Sequence, residues 1–195
     1  MVTIVGVDEV GRGPLAGPLT VCVVACHNKL YTKLKKDRNL PPSGKDSKKL
    51  SPSDREKYSN FLKQTDLSFQ IINISNKIID KKGLSFSVKY AIAKGLEKLE
   101  LNPEECEVLL DGGLRAPKEF KKQKTIIKGD EKEKIIAWAS ILAKVSRDAL
   151  MRRMAKKYPK YKFENHKGYG TLEHRKLISK HGLSAIHRKT FSKKY

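Results

Sequence analysis

The chain is poor in cysteine and in aromatic residues, and it contains no long apolar run. Its three cysteines, Cys22, Cys26 and Cys106, lack C-x-x-C spacing, and an odd number does not suit a disulfide framework or a zinc site. The apolar runs near Val21 and Ile135 are far shorter than a membrane span. The first residues also lack the features of a secretory signal peptide. We therefore expect a cytoplasmic protein with reduced thiols and no membrane partner.

Acidic residues are scarce relative to basic ones. The 195 residues include 21 Asp and Glu against 42 Lys and Arg, which gives a formal net charge of +21. The imbalance is greatest in residues 151–195, which contain 14 Lys and Arg and only two acids, Glu164 and Glu173. Such a positive field attracts phosphate backbones. A merely solvated surface would show the same composition, so charge alone does not decide the function.

Strand and helix patterns alternate along the chain, which favours an α/β fold with helices on a mixed sheet. Strands are predicted at residues 2–7, 19–26, 69–74, 107–110 and 125–127, and the first two should form a hairpin-like pair. Helices are predicted after the capping residue Ser51, at residues 85–99, after a capping pair of Asp130 and Glu133, and at residues 172–181. The basic segment 29–49 is predicted to be a surface loop.

Four acids fall at or just beyond the ends of predicted strands: Asp8, Glu9, Asp111 and Asp130. Strand ends on one edge of an α/β sheet converge in space, and carboxylates gathered there repel one another unless cations are bound. Singly, Asp111 could start a turn and Asp130 could cap a helix. Their joint occurrence in a basic chain favours a site for hard divalent cations and phosphodiester cleavage.

Glycines and prolines follow the first acidic pair and form a loop. Gly11 and Gly13 would let the backbone approach a sugar-phosphate closely, and Arg12 between them supplies a cation. A tight turn with a solvated arginine would have the same residues. The spacing of the glycines does not match a dinucleotide-binding fingerprint, because Pro14 and Pro18 suit a loop better than a helix.

Six sequence blocks together resemble bacterial ribonuclease HII, the type 2 ribonuclease H. They are GVDEVGRGPLAGP at residues 6–18, DSKKL at 46–50, LDG at 110–112, KGD at 128–130, ASILAKVSRD at 139–148 and KGYGT at 167–171. They occur in the expected order over nearly the whole chain. The resemblance implies a ribonuclease H-like mixed sheet flanked by helices, with a catalytic domain at residues 1–157 and a small helical extension at 158–195 that completes the substrate groove.

The same resemblance implies an endoribonuclease that hydrolyses the RNA strand of RNA–DNA hybrids and cuts at ribonucleotides embedded in duplex DNA, during replication and ribonucleotide excision repair. Products would carry 3'-hydroxyl and 5'-phosphate ends. Asp8, Glu9, Asp111 and Asp130 would bind two Mg²⁺ or Mn²⁺ ions, with Asp8 bridging them. The residues expected to contact the substrate are Gly11, Arg12, Gly13, Lys48 and Tyr169.

Two alternatives remain open at this point. A type 3 ribonuclease H would cut hybrids without preference for a junction, although the Gly11-Arg12-Gly13 loop together with Tyr169 favours the type 2 enzyme. A non-catalytic basic module would bind duplexes by charge alone, but it would have no use for clustered carboxylates. Asp148 is expected to form an ion pair or pack within its helix, and the histidines are expected to be surface or packing residues. The protein is expected to be a monomer, and the sequence does not support a sliding-clamp partner.

Overall fold

A five-stranded mixed sheet forms the centre of the computed structural model, which describes residues 2–37, 40 and 50–194. Its strands are β1 (Thr3–Val10), β2 (Leu19–His27), β3 (Ser68–Ile74), β4 (Cys106–Asp111) and β5 (Gln123–Ile126), in the order β3-β2-β1-β4-β5. β2 pairs antiparallel with β1 and β3, whereas β4 is parallel to both β1 and β5. The predicted strands and the predicted first pair are confirmed. The carboxyl ends of β1, β4 and β5 therefore lie at the same edge of the sheet.

Helices cover both faces of the sheet. They are α1 (Asn28–Lys35), α2 (Pro52–Lys63), α3 (Asn76–Lys82), α4 (Leu84–Lys98), α5 (Gly129–Lys132), α6 (Lys134–Lys157), α7 (Phe163–His166) and α8 (Leu172–His181). Short 3₁₀ turns lie at Pro103–Glu105, Pro159–Tyr161 and Lys189–Phe191. Helix α4 packs against β2 and β3, and α6 packs against β1 and β2. None of the helices in the described ranges is long and apolar enough to cross a bilayer.

The core has one apolar layer on each face of the sheet. Val5, Val7 and Val21 pack with Ile92 and Leu96 of α4 on one face. On the other face, the apolar side of α6 packs with Ile4, Cys22 and Val24, a layer that also contains Leu62, Trp138, Leu142 and Ala143. Because β2 is buried along eight of its nine residues, its sequence has no polar alternation. This two-sided burial makes the sheet a rigid support for the residues at its edge.

The segment predicted as a basic loop begins instead with helix α1. Within Asn28–Lys35, Tyr31 and Leu34 are buried, and their spacing of three residues places them on one side of the helix. The prediction was wrong because the lysines around them, at positions 29, 33 and 35, obscured this short apolar stripe. Residues 41–49, which include Lys48, lie outside the described part of the chain.

The capping pair predicted before the long helix is also wrong. Asp130 lies within the one-turn helix α5, and α6 begins only after Glu133, whose side chain makes no capping hydrogen bond. Glu133 has an extended backbone that separates the two helices. The cap predicted at Ser51 is confirmed, since its hydroxyl accepts a hydrogen bond from Asp54 N at 3.1 Å. Asp130 therefore lies inside a one-turn helix and not at the start of α6.

Close contact between α6 and β1 depends on Gly6. A Cβ atom at this position would lie 2.5 Å from the carbonyl oxygen of Ile135, so any larger residue would push the helix away from the strand. The contact also brings Ser140, one and a half turns further along α6, to the end of β1. Gly6 therefore contributes to the geometry of the sheet edge where the acidic residues lie.

Candidate active site

The four acidic residues predicted at strand ends line one cavity. Its volume is about 270 Å³, and it lies at the carboxyl ends of β1 and β4. The full lining consists of Asp8, Glu9, Val10, Arg55, Asp111, Asp130, Ser140, Ile141 and Lys144. The fold therefore brings the four carboxylates together at one edge of the sheet, as expected from their positions at strand ends.

Different elements supply the four carboxylates. Asp8 and Glu9 come from the last residues of β1, Asp111 is the last residue of β4, and Asp130 belongs to α5, which follows β5. Asp8 is only 6% exposed and Asp130 only 1% exposed. Burial of this degree is unusual for carboxylates and requires compensating interactions.

Backbone amides hold two of these side chains in place. The Glu9 N–H donates to Asp8 Oδ1 at 2.7 Å, and the Gly129 N–H donates to Asp111 Oδ1 at 2.6 Å. The second bond connects the end of β4 to the start of α5, the helix that carries Asp130. Ser140 adds a side-chain hydrogen bond to Asp8 from the neighbouring helix α6. The carboxylates are therefore oriented before any ligand binds.

Burial and mutual repulsion raise the pKa of both carboxyl groups of the β1 pair, Asp8 and Glu9. The pKa of Asp8 lies well above its usual value, first because the group is buried, then because of Glu9 and Asp111. Burial also raises the pKa of Glu9, and Asp111 adds to the effect, although the Arg12 guanidinium opposes it. Arg12 Nη1 lies 3.1 Å from Glu9 Oε1. Ionised carboxylates in this cavity thus gain from a bound cation.

The donor set fits a hard divalent cation such as Mg²⁺ or Mn²⁺. All four candidate ligands offer carboxylate oxygens, and the buried Glu9 Oε2 has no hydrogen-bond partner within the described ranges. Among residues 2–37, 40 and 50–194, however, no three Asp, Glu, His or Cys side chains form a ready-made metal-binding group. The carboxylates share a cavity without being closed into a coordination shell.

The predicted substrate loop lies beside this cavity. Arg12 and Gly13 are exposed, whereas Gly11 is buried and has a φ of +90°. Tyr169 is 38% exposed, and its ring lies 5.5 Å from Arg147 Cζ. The Leu15 N–H donates to the carbonyl of Gly168 at 2.9 Å, which joins the loop to the segment that carries Tyr169. The structure therefore joins the loop of Gly11, Arg12 and Gly13 to the segment that carries Tyr169, whereas Lys48 is not among the described residues.

Besides the apolar Val10 and Ile141, three polar residues of the cavity were not predicted from the sequence. Ser140 and Lys144 lie one turn apart on α6, and Arg55 lies on α2. The spacing of four residues along α6, beside its apolar face, is the signal that could have indicated Ser140 and Lys144. Lys144 Nζ donates to Asp148 Oδ1 at 2.8 Å. This is the ion pair predicted for Asp148.

Three histidines are packing residues and two, His27 and His181, are exposed, in agreement with the prediction of surface or packing histidines. His166, His174 and His187 are buried, and the rings of His166 and His174 stack with centroids 4.2 Å apart. His174 Nδ1 bonds to the carbonyl of Tyr169 at 2.9 Å, and its Nε2 lies 3.1 Å from Nε2 of His187. Burial lowers the pKa of both His174 and His187 to about 4. These neutral rings support the backbone at Tyr169.

Comparison with known proteins identifies the family. The family model for ribonuclease HII matches residues 5–194. Ribonuclease HII of Endomicrobium trichonymphae is 42% identical over 189 residues, covering 97% of this chain and 85% of the relative. Ribonuclease HII of Clostridium beijerinckii is 44% identical over 188 residues, covering 96% and 67%.

Solved structures with the same fold include ribonuclease H2 of Pyrococcus horikoshii, with a TM-score of 0.77, 25% identity and coverage of 98% of this chain and 96% of that one. Bst-RNase HIII in complex with Mn²⁺ has a TM-score of 0.68 at 17% identity, covering 97% and 64%, and shows likeness of fold alone. The chain belongs to the ribonuclease HII family, metal-dependent endonucleases that hydrolyse the RNA strand of RNA–DNA hybrids.

Proposed function

We propose that this protein also cuts at single ribonucleotides embedded in duplex DNA and leaves 3'-hydroxyl and 5'-phosphate ends. The observation that carries the proposal is the placement of a cavity lined by four carboxylates directly beside the exposed Arg12 and Gly13. The net charge of +21 provides the general attraction for a duplex. The loop provides the local contact at which a ribonucleotide can be distinguished from a deoxyribonucleotide.

Asp8, Glu9, Asp111 and Asp130 would hold two divalent cations, Mg²⁺ or Mn²⁺. When bound, such cations activate a water molecule for in-line attack and stabilise the charge that develops on the departing 3'-oxygen. The Mn²⁺ complex of Bst-RNase HIII supports the choice of metal by likeness of fold. Ser140 and the Gly129 amide keep the carboxylates oriented, while Val10 and Ile141 form part of the cavity wall.

The 2'-hydroxyl of the ribonucleotide is the proposed target of the 11–13 loop. Gly13 has open space around it, because a Cβ atom there would meet no protein atom within 4 Å. Packing does not require a glycine here, and an approaching sugar-phosphate would account for its small size. Tyr169 would pack on the following deoxynucleotide, and Lys48 would contact phosphate. Together these contacts would place the scissile bond over the carboxylates.

Three further proposals concern organisation and partners. Residues 1–157 would form the catalytic domain, and residues 158–195 would complete the substrate groove. This division is supported by the end of α6 at Lys157 and by the packing of Tyr161 and Phe163 against Ala16. The protein would act as a monomer. A sliding-clamp partner has its support in one structural neighbour, the PCNA:RNase HII complex from Archaeoglobus fulgidus, which has a TM-score of 0.72 at 22% identity.

Cleavage of three end-labelled duplexes tests the proposed function. They are an RNA–DNA hybrid, a DNA duplex with one ribonucleotide, and the same duplex without it, each incubated with Mg²⁺. We expect the first two to be cut and the third to remain intact, with 3'-hydroxyl ends. Cleavage of the hybrid alone would instead indicate a type 3-like activity. Exchange of Asp130 for Asn should abolish cutting, whereas Asp66→Asn, at an exposed turn remote from the cavity, should not.

A further inference from the structure

Two arginines are completely buried behind the substrate loop. Arg147 lies on α6, Arg188 follows α8, and each has a relative exposure of 0%. Buried arginines are usually paired with carboxylates. The hydrogen bonds of these two guanidinium groups run instead to backbone carbonyls. Both side chains are therefore committed to holding the backbone.

Their acceptors are concentrated in the segment that follows β1. Arg188 donates from Nε to Gly17 O at 3.0 Å, from Nη1 to Arg12 O at 2.8 Å and from Nη2 to Gly11 O at 2.6 Å. Arg147 donates from Nε to Pro18 O at 3.0 Å and from Nη2 to Ala16 O at 3.3 Å. A third bond, from Arg147 Nη1 to Lys167 O at 3.1 Å, reaches the segment of Tyr169.

The direction of the Arg188 bonds determines which groups the loop presents to solvent. In a trans peptide the N–H points opposite to the C=O of the same unit, and the described residues contain no cis peptide bond. Because the carbonyls of Gly11 and Arg12 point inward to Arg188, the N–H groups of Arg12 and Gly13 point outward. Both residues are exposed, so these amides are donors available to a ligand.

We propose that Arg188 is a positioning residue that sets the substrate-reading face of the 11–13 loop without touching the substrate. A planar guanidinium with donors in a fixed fork can hold two successive carbonyls in one orientation, which an ammonium cannot. This inference rests on the proposed contact between the loop and the ribonucleotide. Beyond that contact, we assign to Arg188 the role of keeping the N–H groups of Arg12 and Gly13 pointed towards the ribonucleotide.

Further contacts hold the loop and the segment of Arg188 in place. Gly11 has a φ of +90°, and a Cβ atom there would lie 2.3 Å from Arg147 Nε. The backbone of Arg188 is also held, because its backbone N–H donates to Leu15 O at 2.7 Å. The next two residues, Lys189 and Thr190, donate their N–H groups to Asp80 at 2.9 and 3.0 Å. The chain segment around Arg188 is thus anchored to α3 on one side and to the loop on the other.

Burial, together with the nearby Arg147, lowers the pKa of Arg188 to about 10, so the guanidinium remains charged at pH 7. Its positive charge faces the carbonyl ends of two peptide units, Gly11–Arg12 and Arg12–Gly13. This interaction polarises the units and strengthens their outward N–H groups as donors. The same arginine therefore supplies both the orientation and part of the donor strength of the loop.

Kinetics with full-length variants test the inference. Arg188→Met removes the three bonds, Arg188→Lys keeps the charge without the fork, and Asp80→Asn is the matched control that weakens the other anchor of the same segment. For each protein we would measure kcat/KM on a duplex with one ribonucleotide and the inhibition constant of the same duplex made only of DNA. The rise of the melting temperature on adding Mg²⁺ reports whether the carboxylate site is intact.

We expect Arg188→Met to lower kcat/KM by about 10- to 100-fold, the range for a displaced positioning group. The inhibition constant of the all-DNA duplex and the Mg²⁺-dependent rise in melting temperature should stay close to the wild-type values. Arg188→Lys should show a smaller but measurable loss of kcat/KM. If Arg188→Met does not fold, the Lys variant provides the test. Asp80→Asn leaves the three hydrogen bonds of the Arg188 guanidinium in place, so it should lose less kcat/KM than Arg188→Met.

Two results would overturn the role of Arg188. One is a kcat/KM of either variant equal to that of the wild type. The other is a parallel weakening of all-DNA binding and of the Mg²⁺ response, which would indicate general loss of structure. Failure of the proposed function is recognised separately, because the wild-type protein would then not cut at the single ribonucleotide at all.

Discussion

Exchange of Asp8 for Asn should make the metal-free protein more stable. Asp8 is 6% exposed, and burial, Glu9 and Asp111 all raise its pKa. An ionised Asp8 therefore destabilises the folded state near neutral pH. An asparagine removes this charge, retains an oxygen for the Glu9 N–H, and can still pair with the rotatable Ser140 hydroxyl.

The expected gain is on the order of 1–3 kcal/mol, the usual cost of a poorly satisfied buried polar group. For a chain of this size, each kcal/mol corresponds to about 2–4 °C in the melting temperature. The effect of metal should be opposite. Free Mg²⁺ at 100 times its dissociation constant stabilises the binding-competent protein by about 2.7 kcal/mol, or about 5–10 °C. The variant, which lacks a ligand, should show less than half of that rise.

The pH dependence of stability shows whether the ionised Asp8 destabilises the folded protein, as we expect. The folded-state pKa of Asp8 is raised above the unfolded value of about 4, so the destabilisation is complete above the folded-state pKa and disappears below about pH 4. The advantage of Asp8→Asn should accordingly shrink as the pH falls. Calorimetry in EDTA and in Mg²⁺ measures both effects. A metal-free variant that melts below the wild type, or an equal metal response in both proteins, would refute this reasoning.

Three further predictions concern the substrate loop and the histidines. Gly13→Ala should leave the melting temperature unchanged, because no protein atom lies within 4 Å of the new Cβ, yet lower ribonucleotide cleavage; unchanged kinetics would argue against a substrate contact there. Tyr169→Ala should weaken cutting at a single ribonucleotide more than it weakens duplex affinity, and equal losses would contradict a junction role. Since the pKa of His174 and His187 is lowered to about 4, the free energy of unfolding should fall between pH 6.5 and 4 by up to about 3 kcal/mol per ring. Urea titrations should show a shallower fall for His174→Gln and an unchanged one for a His181→Gln control.

The sheet could be predicted because its strands carry strong local signals. Residues 19–26 are a nearly continuous apolar run that remains buried on both faces of the sheet, and Ser51 with Pro52 specifies the start of α2. Helix α1 could not be predicted, since its two buried residues lie among lysines whose charge suggested a loop. Its apolar stripe is recognisable only once the sheet supplies a surface to cover.

The sequence predicted which acidic residues form the site, but it did not predict the residues that hold the site and its loop in place. Strand ends on one edge of the sheet identify Asp8, Glu9 and Asp111 by topology. Ser140 lies 132 residues from Asp8 along the chain, and the hydrogen bonds of Arg188 to the loop span 171 to 177 residues. No local pattern encodes such pairs, because they depend on how α6 and the C-terminal segment pack on the finished sheet.

Anomalous diffraction from crystals grown with Mn²⁺ tests the central claim most directly. We expect two manganese peaks within the cavity, both coordinated by oxygens of Asp8, Glu9, Asp111 and Asp130. In Asp8→Asn crystals at the same Mn²⁺ concentration, at least one peak should be lost. Manganese bound elsewhere on the protein, with none between β1, β4 and α5, would contradict the account.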